Sequence, residues 1–82
     1  MPPKGVPLTP ADRIGLFYWV LESGVAAVAE DLAASVDSVA NWISGLTSPF
    51  PIAHRSIVRK VRARAPETAA ALREAARSVS HS

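Results

Sequence analysis

The sequence predicts an all-α protein that folds as one compact five-helix domain. Its 82 residues suit a single domain. Apolar residues recur at the spacing of helix turns, and no stretch alternates polar and apolar residues as a half-buried strand does. We predict a flexible, Pro-rich arm over residues 1–8, the main helical domain over residues 9–64, and a C-terminal helix with a frayed tail over residues 65–82.

Residue composition argues against several classes of function. The chain has no Cys and its two His are far apart in sequence, so disulfide bonds are excluded and a zinc site is not expected. No Gly-rich phosphate loop or recognisable Ser-His-Asp arrangement supports catalysis. No apolar run reaches the roughly 18 residues that cross a bilayer, and the N-terminus lacks the apolar core of a secretory signal. We expect a cytoplasmic protein that is no enzyme, with no cofactor, metal, membrane or small-molecule substrate.

Charge is divided unevenly between the two parts of the chain. Residues 1–50 carry two cationic and five anionic side chains, whereas residues 51–82 carry seven cationic and two anionic ones. This polarity indicates a polyanionic partner such as nucleic acid. The alternative is a basic helix that is merely solvated.

The first predicted helix spans residues 10–22. Thr9 is suited to cap it, Pro10 suits its first turn, and Asp12 completes a capping box. Ser23-Gly24 ends it.

The apolar residues of this helix cover nearly its whole circumference. The helical spacing predicts a core stripe of Ile14, Phe17, Tyr18 and Leu21. The other faces carry Leu16, Trp19 and Val20. A small monomer has difficulty burying this much apolar surface, so we predict a dimer contact at these three residues. A core position under the C-terminal helix is the alternative.

Two short helices follow, over residues 25–33 and 36–44, with a corner of small residues between them. The side chains expected to face inward are Val28, Ala29, Leu32, Val39, Trp42 and Ile43. Ala29 provides the small side chain that two steeply crossing helices need where they touch. Ser35 is suited to cap the later helix, and Gly45 to end it in a left-handed conformation.

The fourth and fifth predicted helices start near residues 51 and 65, after a loop that contains two Pro. The fourth helix places Arg55, Arg59 and Arg62 on one face. The fifth frays near residue 78 and carries a seam of Ala65, Ala69, Leu72, Ala76 and Val79. Packing of this seam within the molecule is slightly favoured over a partner helix, for which the dimer candidates are Leu72, Ala76 and Val79.

The segment VAEDLAASVDSVANWISG, residues 28–45, resembles the helix-turn-helix of lambda-repressor-like (Cro/CI-type, XRE) proteins. The positions that carry the resemblance are Val28-Ala29, Leu32, Ala33-Ala34, Ser35, Val39, Trp42 and Gly45. The resemblance covers about residues 10–64 and implies a helix-turn-helix domain whose third helix enters the major groove of DNA. Ala33 stands where the family has a glycine, so the turn must avoid a left-handed residue there or strain it.

The resemblance also implies which residues contact DNA. Base-reading candidates on the third helix are Val36, Asp37, Ser38, Ala40, Asn41 and Ser44. Phosphate-contacting candidates are Val25 and Ala26 through their backbone N–H groups, Ser35, Thr47, Ser48 and His54. Charge and helical spacing, and not the resemblance, add Arg55, Arg59 and Arg62. For His54, a position beside the helix start without a phosphate contact is the alternative. The third helix has no Arg or Gln for bidentate base contacts.

We therefore expect a sequence-specific transcriptional regulator, a Cro-like protein or short repressor of a bacterium or bacteriophage. It would bind double-stranded DNA as a homodimer and act by occluding its operator. Two other hypotheses remain open. One is a helical protein-interaction module such as an antitoxin or anti-repressor, and the other is a recombination directionality or architectural DNA-binding factor.

Overall fold

A computed structural model describes residues 4–80 of the chain, and this part contains five α-helices and no strand. The helices are α1 (Pro10–Ser23), α2 (Val25–Asp31), α3 (Val36–Ser44), α4 (Pro51–Ala63) and α5 (Ala65–Ser80). The all-α prediction is confirmed.

Local sequence signals define the helix ends. At the start of α1, the Asp12 N–H donates to Thr9 Oγ1 at 3.2 Å, and Thr9 Oγ1 donates to Asp12 Oδ2 at 2.9 Å. Asp12 is buried, and this cap gives its carboxylate a hydrogen-bond partner. Gly24, with φ +89°, allows the chain to turn from α1 directly into α2.

Helix α1 is the centre of the molecule, because it packs on each of the other four helices. α2 packs on α3, and α4 packs on α5. The buried apolar core consists of Leu8, Leu16, Trp19, Val28, Ala29, Leu32, Val39, Trp42, Ile57 and Val61. Gly15 lies where α1 and α4 approach closest, since a Cβ on Gly15 would overlap Val61 Cγ1.

The buried face of α1 differs from the predicted one. Ile14, Phe17 and Leu21 keep 44%, 45% and 61% of their surface exposed, while Leu16 and Trp19 lie in the core. The prediction of the core stripe was therefore wrong. Leu16 and Trp19 are also corrected as dimer candidates, because they are already buried within one chain. Both are core positions, as the alternative interpretation expected. The C-terminal helix α5, however, borders α1 at Ala11, Ile14 and Gly15.

The reason for this difference lies in long-range packing. Sequence hydrophobicity is similar on both sides of α1, but Gly15 is the position that lets a neighbouring helix approach closely. α4 packs there, which places the adjacent Leu16 in the core. Val20, the third dimer candidate on α1, is half-buried and packs against the core.

Helix α5 packs on the body through its first half only. Thr68, Ala69 and Ala71 are half-buried, whereas every residue from 72 to 79 is exposed. Of the predicted seam, Ala69 is half-buried, whereas Ala65, Leu72, Ala76 and Val79 are exposed. The helix continues to Ser80, past the predicted fraying point, and the molecule measures 52 × 22 × 22 Å.

The N-terminal segment is fastened to the loop between α3 and α4. The Val6 N–H donates to the Pro49 carbonyl oxygen at 2.7 Å, and Gly5 lies against the backbone of Ser48. Leu8 is part of the core. The predicted flexible arm thus does not extend over residues 5–8, and residues 1–3 lie outside the described part of the chain.

Candidate nucleic-acid interface

The corner between α2 and α3 is a sharp turn of four residues, 32–35. On its inner side Ala29, Leu32, Val39 and Trp42 are all buried. The small side chain of Ala29 lets α2 and α3 pack closely, as two helices joined by a short turn require. The inward-facing positions predicted for this corner are confirmed, except that Ile43 is only half-buried.

The turn contains the one strained backbone conformation among non-glycine residues of the described chain. Ala33 has φ +53°, in the left-handed region. Its N–H donates to the Glu30 carbonyl at 3.1 Å, and the Ala34 N–H donates to the Ala29 carbonyl at 2.8 Å. These two bonds form the Schellman arrangement that ends a helix, in which glycine is the usual left-handed residue. The left-handed conformation costs an L-residue about 1–2 kcal/mol.

Helix α3 presents a polar edge to solvent. Val36, Asp37, Ala40 and Ser44 are exposed, and Ser38 and Asn41 are half-buried. All six base-reading candidates thus lie outside the fully buried core. Val39 and Trp42 anchor the opposite side of the helix. The edge carries one acidic residue and no cation, so it offers hydrogen bonds and methyl contacts but no attraction to phosphate.

The cap of α3 engages two of the candidate side chains. The Ser38 N–H donates to Ser35 Oγ at 3.0 Å, and the Ser35 hydroxyl donates to Ser38 Oγ at 2.9 Å. A phosphate contact from the Ser35 hydroxyl would therefore require it to turn away from Ser38. At the C-terminal end of α3, the Ser44 hydroxyl donates to the main-chain carbonyl oxygen of Asn41 at 3.1 Å.

Three arginines form the basic face of α4, which we define as Arg55, Arg59 and Arg62. All three are exposed, and none forms an ion pair with another described residue. Together with His54 they line one open groove. Its other wall comes from the N-terminal segment and the start of α1, at Val6, Thr9 and Asp12. The structure thus brings four of the predicted phosphate-contacting residues together.

Two further cations, Lys60 on α4 and Arg64 directly after it, are paired within the molecule. Lys60 Nζ lies 2.9 Å from Asp31 Oδ2 at the end of α2. Arg64, just after α4, pairs with Glu22 and lies over the Trp19 ring, with 5.7 Å from its Cζ to the ring centroid. These contacts tie α4 to α1 and α2, and they explain why the unpaired positive charge of α4 concentrates on its basic face.

The remaining phosphate candidates are scattered. Val25 is half-buried against the core, Ala26 and Thr47 are exposed, and Ser48 is half-buried beside Gly5. No α3 residue lines the groove of the basic face. The groove wall at Val6 and Thr9 was not predictable, because nothing in the sequence indicates that the N-terminal segment folds back onto the loop before α4.

Comparison with protein-family models, curated proteins and solved structures finds no match for this chain. The likeness to lambda-repressor-like proteins accordingly rests on the residues of the corner. No helix in residues 4–80 combines the length and apolar character needed to cross a membrane. In the same residues no three His, Asp or Glu side chains come together as metal ligands.

Proposed function

We propose that this chain is a sequence-specific DNA-binding protein, a transcriptional regulator that acts as a homodimer by occluding its operator. The observation that carries the proposal is the polar edge of α3, which is exposed while Val39 and Trp42 fix the helix from behind. A helix held in this way fits the width of the major groove. The setting we propose is the cytoplasm of a bacterial cell, with a bacterial or phage gene as origin and with no catalytic activity.

The chemistry of the edge suits direct base recognition of moderate strength. The Asn41 amide matches the donor and acceptor pattern of adenine, and the Asp37 carboxylate can accept from the amino group of cytosine. Val36 is exposed and can contact a thymine methyl. Because such a short set of contacts discriminates weakly, two copies on two half-sites supply the specificity that one lacks.

The basic face of α4 supplies affinity. Three arginines that each neutralise one phosphate give a slope of about −2.7 in a plot of log binding constant against log salt concentration for one chain. These contacts position the protein without reading sequence. The guanidinium groups are suited to phosphate because they donate two parallel hydrogen bonds to one anion.

A fluorescence-anisotropy titration at two salt concentrations tests the proposal. The labelled duplexes carry the DNA upstream of the protein's own gene, and a scrambled sequence of equal composition. We expect tighter binding to the upstream duplex at both salt concentrations. Absence of binding at low salt contradicts DNA binding altogether.

A second candidate is an architectural DNA-binding factor, which is favoured by one observation. Three arginines without an ion pair lie together on the basic face of α4, and the edge of α3 has no cation. Binding that is salt-sensitive and equal on both duplexes supports this candidate over a sequence-specific regulator.

A further inference from the structure

A cation from α1 lies at the C-terminal end of α3. The guanidinium of Arg13 packs against Gly45, the residue that ends α3, since a Cβ on Gly45 would overlap Arg13 Nη1. Arg13 also lines an open groove together with Ser44, an exposed base-reading candidate. The polar edge of α3 has no cation of its own, so Arg13 brings one to it from a neighbouring helix.

The positive charge of Arg13 is not neutralised by a carboxylate of the described residues. Its guanidinium forms no ion pair, whereas Glu22 of the same helix pairs with Arg64. The carboxylate of Asp12 accepts from Thr9 and lines the groove of the basic face. Arg13 is half-buried, and its own groove is lined otherwise by uncharged residues that are mostly apolar. A cation in such surroundings attracts an anion more strongly than one in bulk water does.

The dipole of α3 accounts for only part of this placement. The last turn of α3 contains no basic residue, so a cation beside Gly45 interacts favourably with the free carbonyl groups there. A helix end carries about half an elementary charge, which leaves part of the Arg13 charge unbalanced. The guanidinium can therefore stabilise the end of α3 and still bind an external anion.

The first turn of α1 lies between this groove and the groove of the basic face. Thr9 and Asp12 line the groove of the basic face, and Pro10 and Arg13 line the groove beside α3. Because these residues are consecutive, the two grooves are separated by the width of one helix, about 10–12 Å. A DNA strand carries a phosphate at about every 3.4 Å of the duplex axis, so several phosphates fit within this width.

From this geometry we infer that Arg13 binds a DNA phosphate beside the C-terminal end of α3 and so connects the polar edge of α3 with the basic face of α4. The inference rests on the proposed function and adds a phosphate-contacting residue from α1. A guanidinium suits this role because it donates two parallel hydrogen bonds to one anion. The residue spacing of α3 and α4 does not indicate Arg13, because its position depends on how α1 packs against the end of α3.

The salt dependence of DNA binding tests the inference. Arg13→Gln removes the charge and keeps a polar side chain, so we expect the magnitude of the salt slope to fall by about 0.9. At 0.1 M salt the affinity should fall roughly 8-fold more than at 1 M, which is the factor that this change of slope gives. The matched control is Arg73→Gln, which removes the same charge from an exposed site without an ion pair on α5. Its slope should equal that of the unmodified chain.

A second variant and a second measurement separate a phosphate contact from a purely structural role. Arg13→Lys keeps the charge but not the paired hydrogen bonds, so it should keep the salt slope of the unmodified chain. In NMR spectra the Nε–H signal of Arg13, assigned by its disappearance in Arg13→Lys, should shift when duplex DNA is added. The Arg73 signal should not shift. This measurement uses the unmodified chain and does not depend on whether Arg13→Gln folds, which circular dichroism verifies.

Two results overturn the inference while the proposed function stands. One is a folded Arg13→Gln variant that binds DNA with the slope of the unmodified chain, which restricts Arg13 to stabilising the end of α3. The other is an Arg13 signal that does not shift when the unmodified chain binds DNA. Absence of DNA binding by the unmodified chain overturns both proposals, so the two failures are distinguishable.

Discussion

At the scale of single residues, Ala33 shows how one backbone angle limits the stability of the corner. Its φ of +53° is costly for alanine and accessible to glycine. The strained residue precedes the proposed DNA-reading helix, and the turn keeps its conformation because Ala29, Leu32 and Val39 on its inner side are buried in the core.

We predict that Ala33→Gly stabilises the protein. Relief of the left-handed strain should raise the free energy of unfolding by about 1 kcal/mol and the melting temperature by roughly 4–8 °C. Thermal unfolding followed by circular dichroism measures the change. The control is Ala27→Gly in the interior of α2, where glycine should lower stability by about 1 kcal/mol. A lower melting temperature for Ala33→Gly contradicts the strain argument.

Asn41 and Arg59 should differ in what they contribute to DNA binding. Asn41→Ala removes an amide suited to a base edge, so we expect about 1–3 kcal/mol less discrimination between the upstream and scrambled duplexes. Arg59→Ala removes a phosphate contact and should weaken binding to both duplexes equally. Competition titrations give both quantities. Equal weakening by Asn41→Ala on both duplexes contradicts a base-reading role.

Individual caps were predictable from sequence because they depend on residues three or four positions apart. Thr9, Ser35 and Gly45 all act where the sequence places them. At Ala33 the sequence left two alternatives, a turn without a left-handed residue or a strained one, and the structure has the strained one. The burial of Leu8 was not predictable, because it depends on a loop about forty residues further along the chain.

At the scale of elements, the orientation of α1 follows from its contact with α4. Apolar residues cover most of α1, so periodicity alone does not select the buried face. Gly15 selects it by letting Val61 approach, which is a non-local contact. Periodicity alone is equally insufficient for α5. Its apolar seam extends along the helix beyond the part that α1 can cover.

Gly15→Ala should destabilise the protein, although replacing glycine by alanine inside a helix usually raises stability by about 1 kcal/mol. The added Cβ overlaps Val61 Cγ1, and overpacking of this kind costs about 1–3 kcal/mol. Urea denaturation measures the loss. Combining Gly15→Ala with Val61→Ala should recover part of it, and strictly additive effects of the two substitutions contradict the close-contact argument.

At the scale of the whole molecule, the distribution of paired and unpaired cations determines which surface of the protein can bind a polyanion. Composition already indicated the basic C-terminal part. The common face of Arg55, Arg59 and Arg62 was predictable from their spacing, but the pairing of Lys60 with Asp31 was not, because it depends on how α4 lies beside α2. The relation between α3 and the basic face is likewise set by α1, which packs against both helices.

Arg59→Ala and Lys60→Ala should therefore differ in how they change the salt dependence of DNA binding. Arg59→Ala should reduce the magnitude of the salt slope by about 0.9, because one phosphate contact is lost. Lys60→Ala should leave the slope unchanged, since its ammonium is held by Asp31. Anisotropy titrations at four or more salt concentrations give the slopes. Equal slopes for the two variants contradict this division of the cations.

The central position of α1 has a consequence for how the α2–α3 corner can be used. A peptide of residues 25–45 would expose Val28, Val39 and Trp42 to water, and isolated helices this short do not persist. The α2–α3 corner therefore cannot be removed from the domain and used as an independently folding unit. Heat should abolish DNA binding and melt α1 in a single cooperative event.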